Sequence, residues 1–191
     1  KMDNRSKLFF YYKKNEELIK KLEPLFEYVE NQGFQIVEES KEANIIISVG
    51  GDGEFLQAVR HTNFRQDCLY VGITQADESG LYCDFNIDQY DEMVESMKND
   101  SIEVRRFPII DVTINGQSTF HCLNEAAIRS AIIKTIAMDV FIDDNHFERF
   151  RGDGLIVATP TGSTGYNKST SGAVIDPKIP CLQVTELASL N

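Results

Sequence analysis

The sequence predicts an α/β fold in which an open α/β domain, residues 1–101, precedes a β-rich, β-sandwich-like domain, residues 102–191. Strand-like and helix-like segments alternate through the first domain, which favours a parallel sheet with right-handed crossovers. The run IIISV at residues 45–49 is apolar almost throughout, as expected of a strand that is buried on both faces. The second domain instead has turn signals between short β-rich stretches, which favours antiparallel hairpins.

The elements of the first domain follow from the spacing of its apolar residues. An aromatic strand at residues 8–12 leads into a helix at residues 15–32, where apolar side chains recur at spacings of three and four. Asn15 is the expected N-cap and Gly33 the expected C-terminal stop, whereas Pro24 predicts a kink or a break. The other elements expected are strands at residues 34–37, 45–49 and 68–73, and helices at about 54–61 and 90–97. This order predicts a Rossmann-like domain.

The second domain is predicted from its turns. Asn115-Gly116 is a strong hairpin signal, and we expect the β-rich residues 104–114 to pair across it with residues 119–124. Further strands are expected at residues 138–142, 146–151 and 155–159, the first two joined by a turn at 143–145. Residues 184–188 have the apolar spacing of a new helix. We therefore expect the second domain to be incomplete in this chain.

Composition excludes several classes of function. With 19 basic and 30 acidic residues the net charge is −11, so nucleic acid is not an expected partner. No apolar run is long enough to span a bilayer, and the first residues lack a secretory signal, so we expect a cytoplasmic protein without a membrane partner. The cysteines form no CxxC pair, which makes a structural zinc site improbable. They are Cys68, Cys83, Cys122 and Cys181.

The loop Gly-Gly-Asp-Gly at residues 50–53 lies between a predicted buried strand and a predicted helix. Glycines let the backbone approach a ligand closely, and the free N–H groups of a helix start favour a phosphate. Asp52 is unexpected beside an anion unless it binds a metal ion or accepts a proton from a hydroxyl. The alternative is a tight turn with an acidic helix cap. The loop matches neither the Walker A pattern nor GxGxxG.

Two constellations in the second domain suit a nucleotide. The neighbouring amide and carboxylate of Asn124 and Glu125 can pair with the two hydroxyls of a ribose, although a polar strand end is the alternative. Residues 160–169, PTGSTGYNKS, combine hydroxyl groups with two glycines. The hydroxyls can donate to a phosphate or a base edge, and Tyr166 can lie flat on a base or ribose. The alternative for this segment is an ordinary surface loop.

These motifs, in this order, resemble the NAD kinase family over nearly the whole chain. They are the GGDG loop, the Asn124-Glu125 pair, and the run from GDG at 152–154 to TPTGSTGY at 159–166. Residues 146–151 look like the version found in Firmicutes-type bacterial enzymes. The resemblance implies transfer of the terminal phosphoryl group of ATP, or of inorganic polyphosphate, to the 2′-hydroxyl of the NAD adenosine ribose, giving NADP. It also implies a divalent metal, usually Mg²⁺, and a homotetramer or homodimer.

The family motif implies that Asp52 is the general base and that a further set of residues contacts the bound nucleotides. These are Gly53, Tyr82, Asn124, Glu125, Arg151, Asp153, Thr161, Thr164, Gly165, Tyr166, Asn167, Lys168, Ser169 and Ala188. Three departures from the family stand out. Glu54 replaces the usual Thr and should repel ATP or hold the metal, Leu81 replaces an aromatic residue, and the family's C-terminal segment is absent.

Two alternatives to an NAD kinase remain open at this point. A lipid kinase of the diacylglycerol or sphingosine type would share the GGDG loop and would bind lipid vesicles. A non-catalytic NAD-binding module would bind NAD without forming NADP, and Glu54 together with the absent segment keeps this alternative open.

Overall fold

A computed structural model of the chain describes residues 6–77, 80–99, 101–132 and 134–190. Two compact units, Lys1–Val104 and Arg105–Asn191, divide the chain. Within the described ranges, none of the helices combines the length and the apolar character needed to cross a membrane.

The first unit contains a five-stranded parallel sheet, which confirms the predicted open α/β architecture. The strands are β1 (Lys7–Tyr12), β2 (Gln35–Ile36), β3 (Ile45–Gly50), β4 (Leu69–Thr74) and β5 (Cys83–Asn86), in the spatial order β2-β1-β3-β4-β5. Every residue from Ile45 to Val49 in the central strand is buried, as its apolar sequence predicts. The edge strand β5 is not predicted, because its four residues CDFN are too few to show a periodic pattern.

Three helices accompany this sheet: α1 (Glu16–Asn31), α2 (Asp52–His61) and α3 (Tyr90–Lys98). The Asn15 side chain caps α1 by accepting from the Leu18 N–H at 2.7 Å, as predicted. The predicted break at Pro24 is wrong, since the helix continues through it. Pro24 is exposed while Leu22 and Leu25 are fully buried, so packing holds both sides of the proline and water can solvate the carbonyl it leaves unpaired.

The described part of the second unit consists mainly of antiparallel strands. They are β6 (Ile110–Ile114), β7 (Gln117–Cys122), β8 (Glu125–Arg129), β9 (Ile136–Ile142), β10 (Asn145–Gly152), β11 (Gly154–Ala158) and β12 (Gln183–Leu187). Strands β6 and β7 form the predicted hairpin across Asn115-Gly116, and β9 and β10 form the second one. A three-stranded sheet has the order β12-β11-β8.

The helix predicted at residues 184–188 is wrong, because residues 184–187 belong to strand β12. They pair antiparallel with β11 from Gly154↔Leu187 to Ala158↔Gln183. Three apolar residues in so short a segment do not fix a period, and the β-branched Val184 and Thr185 fit a strand.

Other boundaries in the second unit also differ from the prediction. The strand expected over residues 104–114 begins only at Ile110, and β8 is not predicted at all. Asn124 therefore lies between two strands and Glu125 begins β8, instead of both residues ending a strand. The hydroxyl-rich segment folds into a 3₁₀ turn, Thr161–Thr164, and the short helix α4 (Tyr166–Ser169).

Candidate active site

The glycine loop follows β3 at the carboxyl edge of the parallel sheet. Gly50 and Gly51 have φ angles of +147° and +145°, which only glycine adopts without strain. Helix α2 begins at Asp52, two residues before the predicted start, so Asp52 lies in its first turn. A first turn has N–H groups without partners inside the helix, and these groups suit an anion.

The Asp52 carboxylate is held by two backbone donors from a later segment. The Leu81 N–H donates to Oδ2 at 2.8 Å and the Tyr82 N–H donates to Oδ1 at 3.0 Å. An ionised carboxylate accepts about four hydrogen bonds, so the carboxylate keeps capacity for a substrate hydroxyl. The two donors hold the carboxylate in one orientation and so fix where its remaining acceptor positions lie.

Gly80 lies directly against this carboxylate. A Cβ added at Gly80 would stand 2.3 Å from Asp52 Oδ1 and 2.4 Å from Oδ2. No side chain fits in that space, so either the carboxylate or the segment bearing the Leu81 and Tyr82 donors would have to move.

A Gly80→Ala variant is therefore expected to lose about tenfold or more in kcat, because a displacement near 1 Å at a reacting group has effects of that size. Steady-state kinetics measures this loss, and thermal melts measure the accompanying loss of stability. In an Asp52→Ala background the clash is absent, so Gly80→Ala should not lower the melting temperature further. An equal loss of stability in both backgrounds would contradict the assigned contact.

Glu54 is paired with a lysine. Its Oε1 lies 3.0 Å from Lys13 Nζ, and its side chain folds back over Gly50, where an added Cβ would stand 2.6 Å from Glu54 Cγ. The expectation that Glu54 holds a metal ion stays a prediction. Across the ranges that the structure describes, no three His, Cys, Asp or Glu side chains form a group able to hold one.

Tyr82 and Cys83 are both buried beside the loop. The Tyr82 ring, 4% exposed, stacks on Phe55 with centroids 4.9 Å apart and planes within 2°. The face of the Tyr82 ring therefore packs on Phe55 inside the protein. Burial above all, with the Asp52 carboxylate as the next cause, raises the pKa of the Cys83 thiol to about 12. Cys83 therefore stays a neutral thiol at physiological pH and does not compete as a nucleophile.

In the second unit, the backbone around Asn124 is tied to the turn after β11. Thr159 donates its N–H to the Asn124 carbonyl at 2.8 Å and its hydroxyl to the Leu123 carbonyl at 2.7 Å. An added Cβ at Gly162 would lie 2.0 Å from the same Asn124 carbonyl oxygen. Asn124 and the 3₁₀ turn, which the sequence separates by about 36 residues, are thus in direct contact.

Glu125 has the electrostatics of a ligand-binding group. Its Oε2 is buried, and no described group donates a hydrogen bond to it. Burial raises the pKa of this carboxyl. A Cβ added at Gly165 would lie 3.6 Å from Oε2, so this oxygen faces the hydroxyl-rich segment at a glycine that presents no side chain. Buried acceptors are normally satisfied, and an external hydroxyl would supply the donor.

Asn167, one of the predicted contact residues, is enclosed by the protein in this structure. Its side chain is fully buried and donates to the Ser163 carbonyl at 3.2 Å and the Ala173 carbonyl at 3.0 Å. The Thr185 hydroxyl donates to its Oδ1 at 2.5 Å. Thr161, 2% exposed, is also enclosed, with its hydroxyl 3.2 Å from that of Thr159. These side chains hold the segment in shape from inside.

The other predicted contact residues are accessible to a ligand. Tyr166 is half-buried against the apolar cluster of Ile156, Ala158 and Leu187. The exposed ones are Gly53, Arg151, Asp153, Thr164, Gly165, Lys168, Ser169 and Ala188. Backbone hydrogen bonds from Asp153 N–H to the Leu187 carbonyl, 2.9 Å, and from Leu190 N–H to the Arg151 carbonyl, 2.8 Å, bring Arg151, Asp153 and Ala188 into one neighbourhood.

Sequence reasoning misses three residues of these sites: Lys13, Gly80 and Thr159. Lys13 comes directly after a strand end, which is a usable signal for a residue at a ligand-binding edge. Thr159 ends an apolar run before Pro160, as many structural threonines do. Nothing in the sequence separates Gly80 from an ordinary loop glycine.

Two features together define a nucleotide-dependent phosphotransferase. One is the glycine-rich phosphate loop of the α/β unit, and the other is the unsatisfied carboxylate beside a hydroxyl-rich turn in the β-rich unit. A family model described as the ATP-NAD kinase C-terminal domain matches residues 123–190. NAD kinase 2 of Geobacillus kaustophilus is 61% identical over 187 residues, 98% of this chain and 70% of that protein. NAD kinase 2 of Bacillus subtilis is 57% identical over 189 residues, 99% and 71% of the two chains. The chain belongs to the NAD kinase family, whose members phosphorylate NAD.

The fold agrees with this assignment. An NAD kinase from Archaeoglobus fulgidus, solved in complex with ATP, matches with a TM-score of 0.79 at 25% identity. The match covers 97% of this chain and 73% of that one. The Geobacillus and Bacillus relatives confirm the resemblance to Firmicutes-type NAD kinases, and the lipid-kinase alternative loses its basis.

Proposed function

We propose that the protein transfers the terminal phosphoryl group of ATP to the 2′-hydroxyl of the NAD adenosine ribose, with Asp52 as the general base. The observation that carries the proposal is the position of the Asp52 carboxylate. Asp52 lies in the first turn of α2, and the Leu81 and Tyr82 N–H groups hold its carboxylate in place. A ribose hydroxyl is a poor nucleophile at neutral pH, and a fixed carboxylate can take its proton as the bond to phosphorus forms. Phosphoryl transfer otherwise requires positioning and charge stabilisation.

In the same proposal, Asn124 and Glu125 bind the hydroxyl groups of NAD. The unsatisfied Oε2 of Glu125 supports this role, because a ligand donor would remove the cost of burying it. Thr164, Gly165, Tyr166, Lys168 and Ser169 contact the nucleotide directly, whereas Thr161 and Asn167 position that segment from within. Arg151, Asp153 and Ala188 form a further contact group, and Gly53 contacts the donor. Tyr82 acts through its backbone N–H on Asp52.

A Glu125→Gln variant is expected to be more stable but to bind NAD more weakly. Because burial raises the Glu125 pKa, ionising the carboxyl lowers the free energy of unfolding as pH rises from the ordinary carboxyl pKa through the raised one. Glutamine removes this loss, so the melting temperature at pH 7 should rise by roughly 1–3 °C. NAD affinity should fall about tenfold with the lost acceptor. Thermal melts from pH 4 to 7.5 and calorimetric titration with NAD test both parts, and a less stable variant at pH 7 would contradict them.

The donor is proposed to be ATP accompanied by a divalent ion, with Mg²⁺ as the expected one. The described side chains do not build a metal site, so we derive no step through a protein-bound ion. An ion coordinated by the donor's phosphates would arrive with the substrate. Inorganic polyphosphate is a second candidate donor, since the backbone N–H groups of a glycine loop bind the phosphate oxygens of a donor and do not contact its base.

The function is tested by incubating the purified protein with NAD and Mg²⁺, together with either ATP or polyphosphate, and measuring NADP with an NADP-specific dehydrogenase. We expect NADP with ATP. If NADP forms with polyphosphate and not with ATP, the proposed donor is wrong and NAD remains the acceptor. NAD binding without NADP from either donor would sink the proposed reaction and favour a non-catalytic NAD-binding module.

The assembly and location are part of the same proposal. We propose a homotetramer or homodimer, supported by large apolar side chains that the β9–β10 hairpin exposes, including Phe141 at 59% and Phe147 at 65%. All four cysteines lie in the described ranges as free thiols, which suits the reducing cytoplasm. Light scattering measures the molar mass, and a monomer at micromolar concentration would exclude the assembly.

A further inference from the structure

Lys13 and Glu54 form an ion pair that the sequence places at the glycine loop. Parallel pairing of β1 with β3 sets Tyr12 opposite Val49, so the next residues, Lys13 and Gly50, emerge together at the carboxyl edge of the sheet. Glu54 reaches the same place from the first turn of α2. Both partners are thus fixed to the phosphate loop by the sheet register and the helix start.

The Glu54 carboxylate lies over the loop and away from bulk solvent. An added Cβ at Gly50 would stand 2.8 Å from Glu54 Cδ and 2.9 Å from Oε2, and the Glu54 side chain is only 21% exposed. Its other oxygen, Oε1, is 3.0 Å from Lys13 Nζ. Lys13 is 81% exposed, so the ammonium covers the outer side of the carboxylate while most of the lysine faces solvent.

The pair has little to do with stability, since an ion pair with one exposed partner contributes little to folding. Its effect is on an anionic ligand. A carboxylate near phosphate-binding amides opposes a phosphate, and a protein with a net charge of −11 adds a general repulsion. A cation bound to that carboxylate cancels the repulsion that the carboxylate itself exerts on a phosphate.

We propose that Lys13 promotes binding of the phosphoryl donor, because it neutralises Glu54 and so lets an anionic phosphate occupy the glycine loop. The inference rests on the proposed function for the identity of the donor. It explains how a carboxylate is tolerated at position 54, in the first turn of α2 beside the glycine loop. It also predicts that the two residues are coupled, since Lys13 matters only while Glu54 is charged.

The test measures KM and the dissociation constant for ATP in Lys13→Met, Glu54→Gln and the double variant. Lys13→Met should raise both constants about tenfold at low salt, with kcat within twofold, and the defect should shrink at high ionic strength. In the double variant both constants should return to within twofold of those of Glu54→Gln. Lys20→Met, which removes the same charge from the exposed face of α1, is the matched control and should change neither constant.

Two outcomes would overturn the proposal. One is an unchanged ATP affinity in Lys13→Met. The other is a defect that persists in the double variant, which would mean that Lys13 contacts the phosphate itself. Calorimetric binding separates this test from the proposed function, because a parent that binds ATP without forming NADP fails as a kinase while its ATP affinities still decide the role of Lys13. A parent that binds no ATP would count against both.

Discussion

An Asp52→Asn variant is expected to lose on the order of 10²–10⁴-fold in kcat, the usual contribution of a general base. Asparagine keeps the size of the side chain, and its Oδ1 still accepts one of the two backbone N–H groups that hold the carboxylate. It does not accept the proton of the ribose hydroxyl. The binding of NAD, measured by calorimetry, should change by less than about twofold, because the loss lies in the transition state.

The control for this variant is Asp91→Asn, which removes one negative charge from an exposed position on α3. It should retain the activity of the parent and show that net charge does not cause the loss. Activity of Asp52→Asn within a factor of ten of the parent would contradict the role of Asp52 as the base. Parallel losses of kcat and of NAD binding would instead indicate a misfolded loop.

A Gly162→Ala variant is expected to lose more than about 3 kcal/mol of unfolding free energy, beyond the usual range for overpacking. The new Cβ would stand 2.0 Å from the Asn124 carbonyl oxygen and 2.4 Å from its carbonyl carbon. Backbone cannot rotate aside as a flexible side chain does. The Gly162 N–H also donates to the Thr159 hydroxyl at 3.0 Å, so a shift breaks the network that joins the 3₁₀ turn to Asn124.

Urea unfolding measures this loss, and Gly53→Ala is the matched control. An added Cβ at Gly53 has no neighbour within 4 Å, and alanine is favoured over glycine inside a helix, so that variant should be neutral or slightly stabilising. A Gly162→Ala protein with parental stability would show that the turn and Asn124 are not in contact.

The fold of the first unit is predicted well because its buried positions form a strong apolar pattern in the sequence. Strand β3 is apolar at every buried position but Ser48, and α1 has both its cap and its periodic apolar face. Strands of four or five residues that are only partly buried give no such pattern, so β5 and β8 are missed. Strand β12 is misread because its form depends on pairing with β11, which is a tertiary effect.

The candidate site is predicted in part for a similar reason. Asp52, Asn124 and Glu125 stand in motifs whose residue types already suggest their chemistry. The groups that orient them come from distant parts of the chain, such as the Leu81 and Tyr82 N–H groups that hold Asp52. Because these donors are backbone groups, the residue types in the sequence do not reveal them. Asn167 lies in a motif but faces inward, and sequence alone does not distinguish the two sides of so short a helix.

The central claim is that this protein joins the terminal phosphoryl group of ATP to the 2′-hydroxyl of the NAD adenosine ribose. Phosphorus NMR of the products from NAD, ATP and Mg²⁺ tests it most directly, because it reports which phosphate ester forms and how much ADP accompanies it. We predict equal amounts of ADP and of a monoester at the 2′ position. ADP released without any new ester, or an ester at another hydroxyl, would contradict the claim.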